Sequence, residues 1–307
     1  MDSNPMVSFI LPVYNSSEYI VKVVDSILQQ NYNPMEIILV DDHSTDNSLD
    51  IIRKLEKQHS GIIKMIAHNF NQGLAAARNS GIKEAQGDLL IFLDSDISIA
   101  ADFLSQTIKY YRNDSINGIV GKTYPGDNIK YDKFQKYLYE ARRGARHLQS
   151  LKQIPYHHFL YNMTSVRQSV VKETGFFDEK ITTYGGEDTE YAFRMARKFP
   201  GSLYFSPDIT GFHHHYRSLN ETLDLYKKYG KKNVPYITGK HPEMKSIYFY
   251  RYIEGPLFKR VVGNILKSKV CRAVLKGAYY VTPAPLYFSL VKLLLASAML
   301  SGIAAGD

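Results

Sequence analysis

The first third of the chain alternates short continuous apolar runs with amphipathic stretches. VSFIL (7–11), EIILV (36–40), IIKMIA (62–67) and LLIFL (89–93) have no polar alternation, so they read as strands covered on both faces. Between them, 17–30, 46–58 and the alanine-rich 74–85 carry apolar residues at helical spacing. A β-α-β-α-β-α-β order predicts an α/β fold with a mostly parallel central sheet flanked by helices. Such sheets bind ligands beyond the carboxyl ends of their strands, where PVYN, DDHSTD and DSD all fall.

Beyond residue 118 the pattern loosens. GIVGKTY (118–124), FLYNMTSV (159–166) and SLYFSPDI (202–209) read as strands, 131–146 as a basic amphipathic helix, and a helix is expected from Glu187 to just before Pro200. No repeat or low-complexity linker marks a sharp boundary, and we divide the chain into a catalytic region, 1–235, and a helical C-terminal region, 236–307.

The 307 residues are 44% apolar, ample for a core, which excludes a disordered chain. The formal charge of +8 calls for an anionic partner: a nucleotide, nucleic acid or an anionic membrane. A single cysteine, Cys271, excludes an internal disulfide and fits a reducing compartment. The start has an acid rather than bases before a very short apolar run, unlike a secretory signal, so the expected setting is cytoplasmic.

The polar clusters each carry a plain structural reading beside a chemical one. Asn15 followed by Glu18 has the form of a capping box, and Asp46 and Asp102 stand where helices start. Pro12 and Tyr14 are left for another purpose, such as offering a face and backbone groups to a base; Asp41 could accept a ring N–H there. Arg78 is either a surface charge or a contact to a nucleotide. In an extended chain Asp94 and Asp96 leave the strand on one side, close enough to share a cation that answers their repulsion. Glu187, Asp188 and Glu190 follow two glycines that allow close backbone approach; the acids either serve the helix dipole or supply a general base. One of His213, His214 and His215 could complete a metal site with Asp96.

PVYN, VDDHSTD, NQGLAAARNSG, FLDSD, GFFDE and GGEDTEYAFR occur in an order that resembles the family 2 glycosyltransferases, inverting enzymes of the GT-A nucleotide-diphospho-sugar transferase fold. The resemblance runs from about 7 to 230. It implies metal-dependent transfer, of hexosyl or N-acetylhexosaminyl type, from a nucleotide sugar, most simply a UDP-sugar, to a hydroxyl of a saccharide or lipid-linked acceptor in glycan biosynthesis. It further implies nucleotide binding by Pro12, Val13, Tyr14, Asp41, Arg78, Asp94 and Ser95, and Mn²⁺ or Mg²⁺ on Asp96 with His213 or His215, His213 being favoured. Asp188 would be the catalytic base and Glu187 would bind acceptor or orient the loop. His43 departs from the pattern, since many relatives have Gly in DDGS.

In the C-terminal region Lys259, Arg260, Lys267, Lys269, Arg272 and Lys276 flank an apolar stripe, and 286–305 carries only Lys292 as a charge. A membrane-associating extension is expected, with 286–305 in the interface or as a re-entrant hairpin, peripheral or monotopic on the inner face of the membrane. The alternatives are a non-catalytic sugar-nucleotide-binding scaffold of the same fold and a nucleotidyltransferase. The second would call for a basic glycine-rich loop after the first strand, which PVYNSSEY is not. Nucleic acid is not expected, because the basic charge gathers beside the apolar tail.

Overall fold

The computed structural model describes residues 4–127 and 129–306. The strands are β1 (Val7–Val13), β2 (Met35–Asp41), β3 (Ile63–Ala67), β4 (Leu89–Leu93), β5 (Ile97–Ile99), β6 (Gly118–Pro125), β7 (Lys152–Gln153), β8 (Met163–Arg167) and β9 (Leu203–His213). The helices are α1 (Ile20–Leu28), α2 (Ser48–Gln58), α3 (Leu74–Glu84), α4 (Phe103–Tyr110), α5 (Lys133–Glu140), α6 (Gln168–Thr174), α7 (Glu187–Lys198), α8 (Leu219–Lys240), α9 (Leu257–Lys267), α10 (Lys269–Val281) and α11 (Tyr287–Ile303).

One sheet runs in the order β3-β2-β1-β4-β8-β6-β9-β5, with β7 paired to β9. β1 to β4 are parallel; β8 enters antiparallel beside β4, and β6 and β9 run parallel to each other. The expected mostly parallel sheet is therefore present. β1, β2 and β4 are buried along almost their whole length because residues from alternate positions feed two separate cores, whereas β3, at the edge of the sheet, is mostly half-buried. Phe9, Leu11 and Ile91 pack with Val23, Ile27, Ile52 and Phe103 on one face, and Ile10, Ile38 and Phe92 with Ala75, Ala77, Val171 and Tyr191 on the other.

Contacts divide the chain into two compact units. The first reaches residue 129 and adds 142–182 and 187–215, the whole sheet included; the second holds 130–141, 183–186 and the chain from 216 on. In the second unit α8 and α11 cross closely: a Cβ on Gly230 would lie 2.3 Å from the Met299 carbonyl oxygen. Val291, Leu294, Leu295, Ala298 and Leu300 of α11 are buried there, so the segment expected at a membrane interface is a core helix of its own unit. Apolar residues on every side suit a buried helix as well as a lipid-facing one. Among the described residues no helix is long and apolar enough to cross a membrane. The helix expected over 131–146 is confined to α5, capped by the Asp132 side chain on the amides of Phe134 and Gln135.

Candidate functional site

The parallel register sets Pro12 beside Val40 and Val13 beside Asp41, so the ends of β1 and β2 form one shelf. Tyr14, just past β1, is half exposed. Asp41 is buried; its Oδ2 accepts the Ser44 amide at 3.2 Å, while Oδ1 has no hydrogen-bond partner within the protein. Burying a carboxylate oxygen without a donor is costly, which makes Oδ1 a candidate acceptor at this edge of the sheet.

Asn15 does not form the expected capping box. It sits at φ 51°, and its Oδ1 accepts the Thr45 amide at 2.8 Å, while Tyr19 precedes α1 with no side-chain cap. The residue joins two loops instead of starting a helix. Asp46 takes the Ser48 amide at 2.9 Å and that of Ser17 at 3.1 Å; against the upward push of desolvation, these bonds lower its carboxyl to about 2. His43 adopts φ 62°, a left-handed conformation that glycine takes without cost, which explains why glycine would suit this position.

Asp42 is a residue that sequence reasoning passed over. Its two oxygens accept the amides of Gln72 and Gly73, each at 2.8 Å, and Oδ1 meets His68 Nδ1, whose Nε2 contacts Ser80 Oγ at 2.9 Å. The Asp42 and His68 side chains of this chain are buried, Ser80 is half-buried, and the carboxylate is committed to loop amides, so the chain braces the start of α3. The doubled aspartate of VDDHSTD was the available signal.

Arg78 is neither a surface charge nor an open contact: it is 1% exposed at the centre of an ion-pair cluster. Nη1 lies 2.5 Å from Asp188 and 3.3 Å from Glu187, and Nη2 3.4 Å from Asp94 and 3.3 Å from the Tyr161 carbonyl oxygen. Phe177 lies beneath the guanidinium, 5.4 Å from ring centroid to Cζ. Burial alone would lower the Arg78 pKa, but Asp188, Asp94 and Glu187 raise it above its ordinary value. One cation cannot neutralise three carboxylates. Burial and the Asp188 charge, opposed by Arg78, push Glu187 up to about 8, which favours its protonated form. Desolvation, opposed by Arg78 and aided by Asp96 and Asp188, pushes Asp94 up to about 7.

Asp188 also accepts the Tyr161 amide on Oδ2 at 3.1 Å, which with Arg78 fixes both of its oxygens. Glu190 instead pairs with Arg194 at 3.0 Å one turn along α7 and is structural. The paired glycines before α7 do permit a close approach, but to protein: a Cβ on Gly186, at φ 102°, would lie 2.6 Å from Ile237 Cδ1. Asn79 clamps GFFDE, its side chain exchanging hydrogen bonds with the backbone of Phe177.

Asp94 and Asp96 do not leave β4 as an extended pair. The Ile97 amide bonds to the Asp94 carbonyl oxygen at 3.0 Å, closing a turn, and the two carboxylates take different partners. Asp94 faces Arg78, whereas Asp96 Oδ2 lies 3.3 Å from His213 Nε2. Ser95 is buried between them and its Oγ is 2.6 Å from Ser16 Oγ. Of the three histidines, His214 is engaged with Ser98 at 2.8 Å and His215 packs edge-on to Tyr19. His213 belongs to β9, which runs further than the sequence suggested.

Among the described residues no cluster of three or more His, Cys, Asp or Glu is arranged to hold a metal ion. A carboxylate and an imidazole, both partly exposed at a strand edge, nonetheless fit a cation that takes its other ligands from a diphosphate and water.

Comparison with known proteins bears on this arrangement. Over an alignment of 314 positions, gaps included, the chain is 26% identical to the uncharacterized glycosyltransferase YfnE of Bacillus subtilis, covering 85% of this chain and 78% of that protein. It is 43% identical over 106 residues to an uncharacterized glycosyltransferase of Haemophilus influenzae, covering 34% of this chain and 42% of that protein. The mannosyltransferase PcManGT from Pyrobaculum calidifontis, solved with GDP-Man and Mn²⁺, matches with a TM-score of 0.65 at 19% identity, over 96% of this chain and 86% of that one. That likeness shows the fold, which is the GT-A fold that the motifs implied. The family model for glycosyl transferase family 2 matches residues 8–175, more than half of the sequence, and the chain belongs to that family.

Proposed function

We propose that this family 2 glycosyltransferase is inverting and metal-dependent, moving a hexosyl or N-acetylhexosaminyl unit from a nucleotide sugar, a UDP-sugar in the simplest case, to a hydroxyl of a saccharide or lipid-linked acceptor. The observation that carries the reading is that Arg78 ties the proposed base, Asp188, to Asp94, two residues from Asp96. Base and leaving-group site thereby stand on one rigid frame.

In this reading the base of the nucleotide lies on the shelf of Pro12, Val13 and Tyr14, with a ring N–H donating to Asp41 Oδ1; Asp94 and Ser95 lie on the ribose side. Asp188 removes the acceptor proton as the acceptor oxygen bonds to the anomeric carbon. The bond from that carbon to the diphosphate oxygen breaks, its electron pair leaves with the diphosphate, and the configuration inverts. Arg78 orients Asp188 from below, and Glu187, protonated, keeps the cluster from carrying a further negative charge. Mn²⁺ or Mg²⁺ held by Asp96 and His213 would supply positive charge for the departing diphosphate. A lipid-linked acceptor would place the enzyme at the inner face of the membrane.

The test is a panel of UDP- and GDP-sugars with Mn²⁺, read by donor hydrolysis and by thermal shift. Asp96→Ala is expected to weaken Mn²⁺-dependent donor binding by roughly 10- to 100-fold. Unchanged metal-dependent binding and turnover in that variant would refute the site.

A further inference from the structure

α9 and α10 turn their apolar faces outward. In α9 Leu257, Phe258 and Ile265 are 75%, 65% and 57% exposed, and Val261 and Val262 are exposed with them. At the angular spacing of a helix these residues fall within one arc of about 140°. Gly263 is the one buried residue of α9 and lies against the Tyr252 carbonyl, so the helix rests on its back. α10 repeats the arrangement: Val270, Val274, Tyr280 and Val281 are exposed on one side. On its other side Tyr279 is buried and the Arg272 guanidinium donates to Ser297 Oγ at 3.2 Å and to the Ser297 carbonyl at 3.1 Å. Amphipathic helices of soluble domains normally bury the stripe that these two expose.

The charge beside these faces has one sign. From residue 255 to 306 the sequence has seven Lys and Arg and no Asp or Glu. On α9 Lys259, Arg260 and Lys267 occupy the arc left by the apolar residues; Lys269 and Lys276 border that of α10. A protein partner or a second copy would have to bring a face both apolar and acidic, whereas this chain's own face is basic and would repel itself.

We propose that the exposed faces of α9 and α10 seat the chain in the plane of an anionic phospholipid bilayer, while α11 stays in the core of its unit. The purpose of that seating rests on the lipid-linked acceptor proposed above.

The test is flotation of the full chain with vesicles of phosphatidylcholine alone and of phosphatidylcholine with phosphatidylglycerol in equal parts. Binding is expected with phosphatidylglycerol and is lost as salt is raised. Phe258→Ser with Val274→Ser is expected to lower partitioning roughly a hundred-fold, and Lys267→Ser with Lys269→Ser roughly 25-fold. All four residues are exposed, so circular dichroism and lipid-free donor hydrolysis are expected to be unchanged. Failure of the parent chain to float with phosphatidylglycerol overturns the inference, as does a concentration-dependent dimer abolished by the apolar substitutions. If hydrolysis persists while flotation fails, only the seating falls; if flotation persists while hydrolysis fails, the enzymatic reading falls.

Discussion

Replacing Arg78 with methionine keeps much of the side-chain volume and removes the charge shared by Asp94, Glu187 and Asp188. The guanidinium is 1% exposed and lies within 2.5–3.4 Å of all three carboxylates. Removing one partner of a buried ion pair leaves uncompensated charge and costs about 3–5 kcal/mol. That is a fifth or more of the stability of an ordinary domain, roughly 5–15 kcal/mol. The loss should depend on pH. Glu187 in the folded protein is already raised to about 8, above its unfolded value, so its contribution is present at low pH and is lost as pH rises through that value. Without Arg78, Asp94 and Glu187 lose the cation that draws them down, and stability should fall more steeply between pH 5 and pH 8. Urea denaturation of both proteins across that range measures the difference. Arg78→Lys should regain part of the stability without restoring transfer, since an ammonium cannot span the same three acceptors. An Arg78→Met protein within about 1 kcal/mol of the parent at pH 8, with transfer intact, would refute the hub.

Two further substitutions probe the scaffold. Gly230→Ala would gain about 1 kcal/mol of helix propensity but place a Cβ 2.3 Å from the Met299 carbonyl oxygen, forcing α8 and α11 apart. A net loss of roughly 1–3 kcal/mol is expected in thermal unfolding, and a stabilised variant would contradict the close crossing. His43→Gly relieves a residue held at φ 62° and exposed to solvent, and should be neutral or stabilising by up to about 1 kcal/mol. Marked destabilisation would mean that the His43 ring is needed where it stands.

Of the four parallel strands, β1, β2 and β4 were legible because burial on both faces leaves a run of apolar residues with little alternation to confuse it, and β3 kept enough of that run to be read beside them. Loop chemistry was harder to read. Asn15 and Glu18 have the spacing of a capping box, but nothing local says that Asn15 is held by Thr45 across 30 residues of sequence. The spacing of Asp94 and Asp96 suggested a shared face only because the strand was assumed to continue; one turn hydrogen bond sends the two carboxylates to different partners. Arg78 pairs with residues 109 and 110 positions away, which no periodicity encodes. A helix apolar on all sides, such as α11, carries no signal that separates a protein core from lipid. The basic amphipathic stripe of 257–266 was visible, but its outward orientation depends on Gly263 packing against Tyr252.

The proposed mechanism stands on Asp188 acting as the base of an inverting transfer. Its most direct test is Asp188→Asn, assayed with a donor found active in the nucleotide-sugar panel and with the anomeric configuration of the parent's product read by NMR. The variant is expected to bind Mn²⁺ and donor as the parent does while transfer is lost, and the parent's product to have the configuration opposite to the donor. Transfer surviving in Asp188→Asn, or a product that retains the donor's configuration, would contradict it.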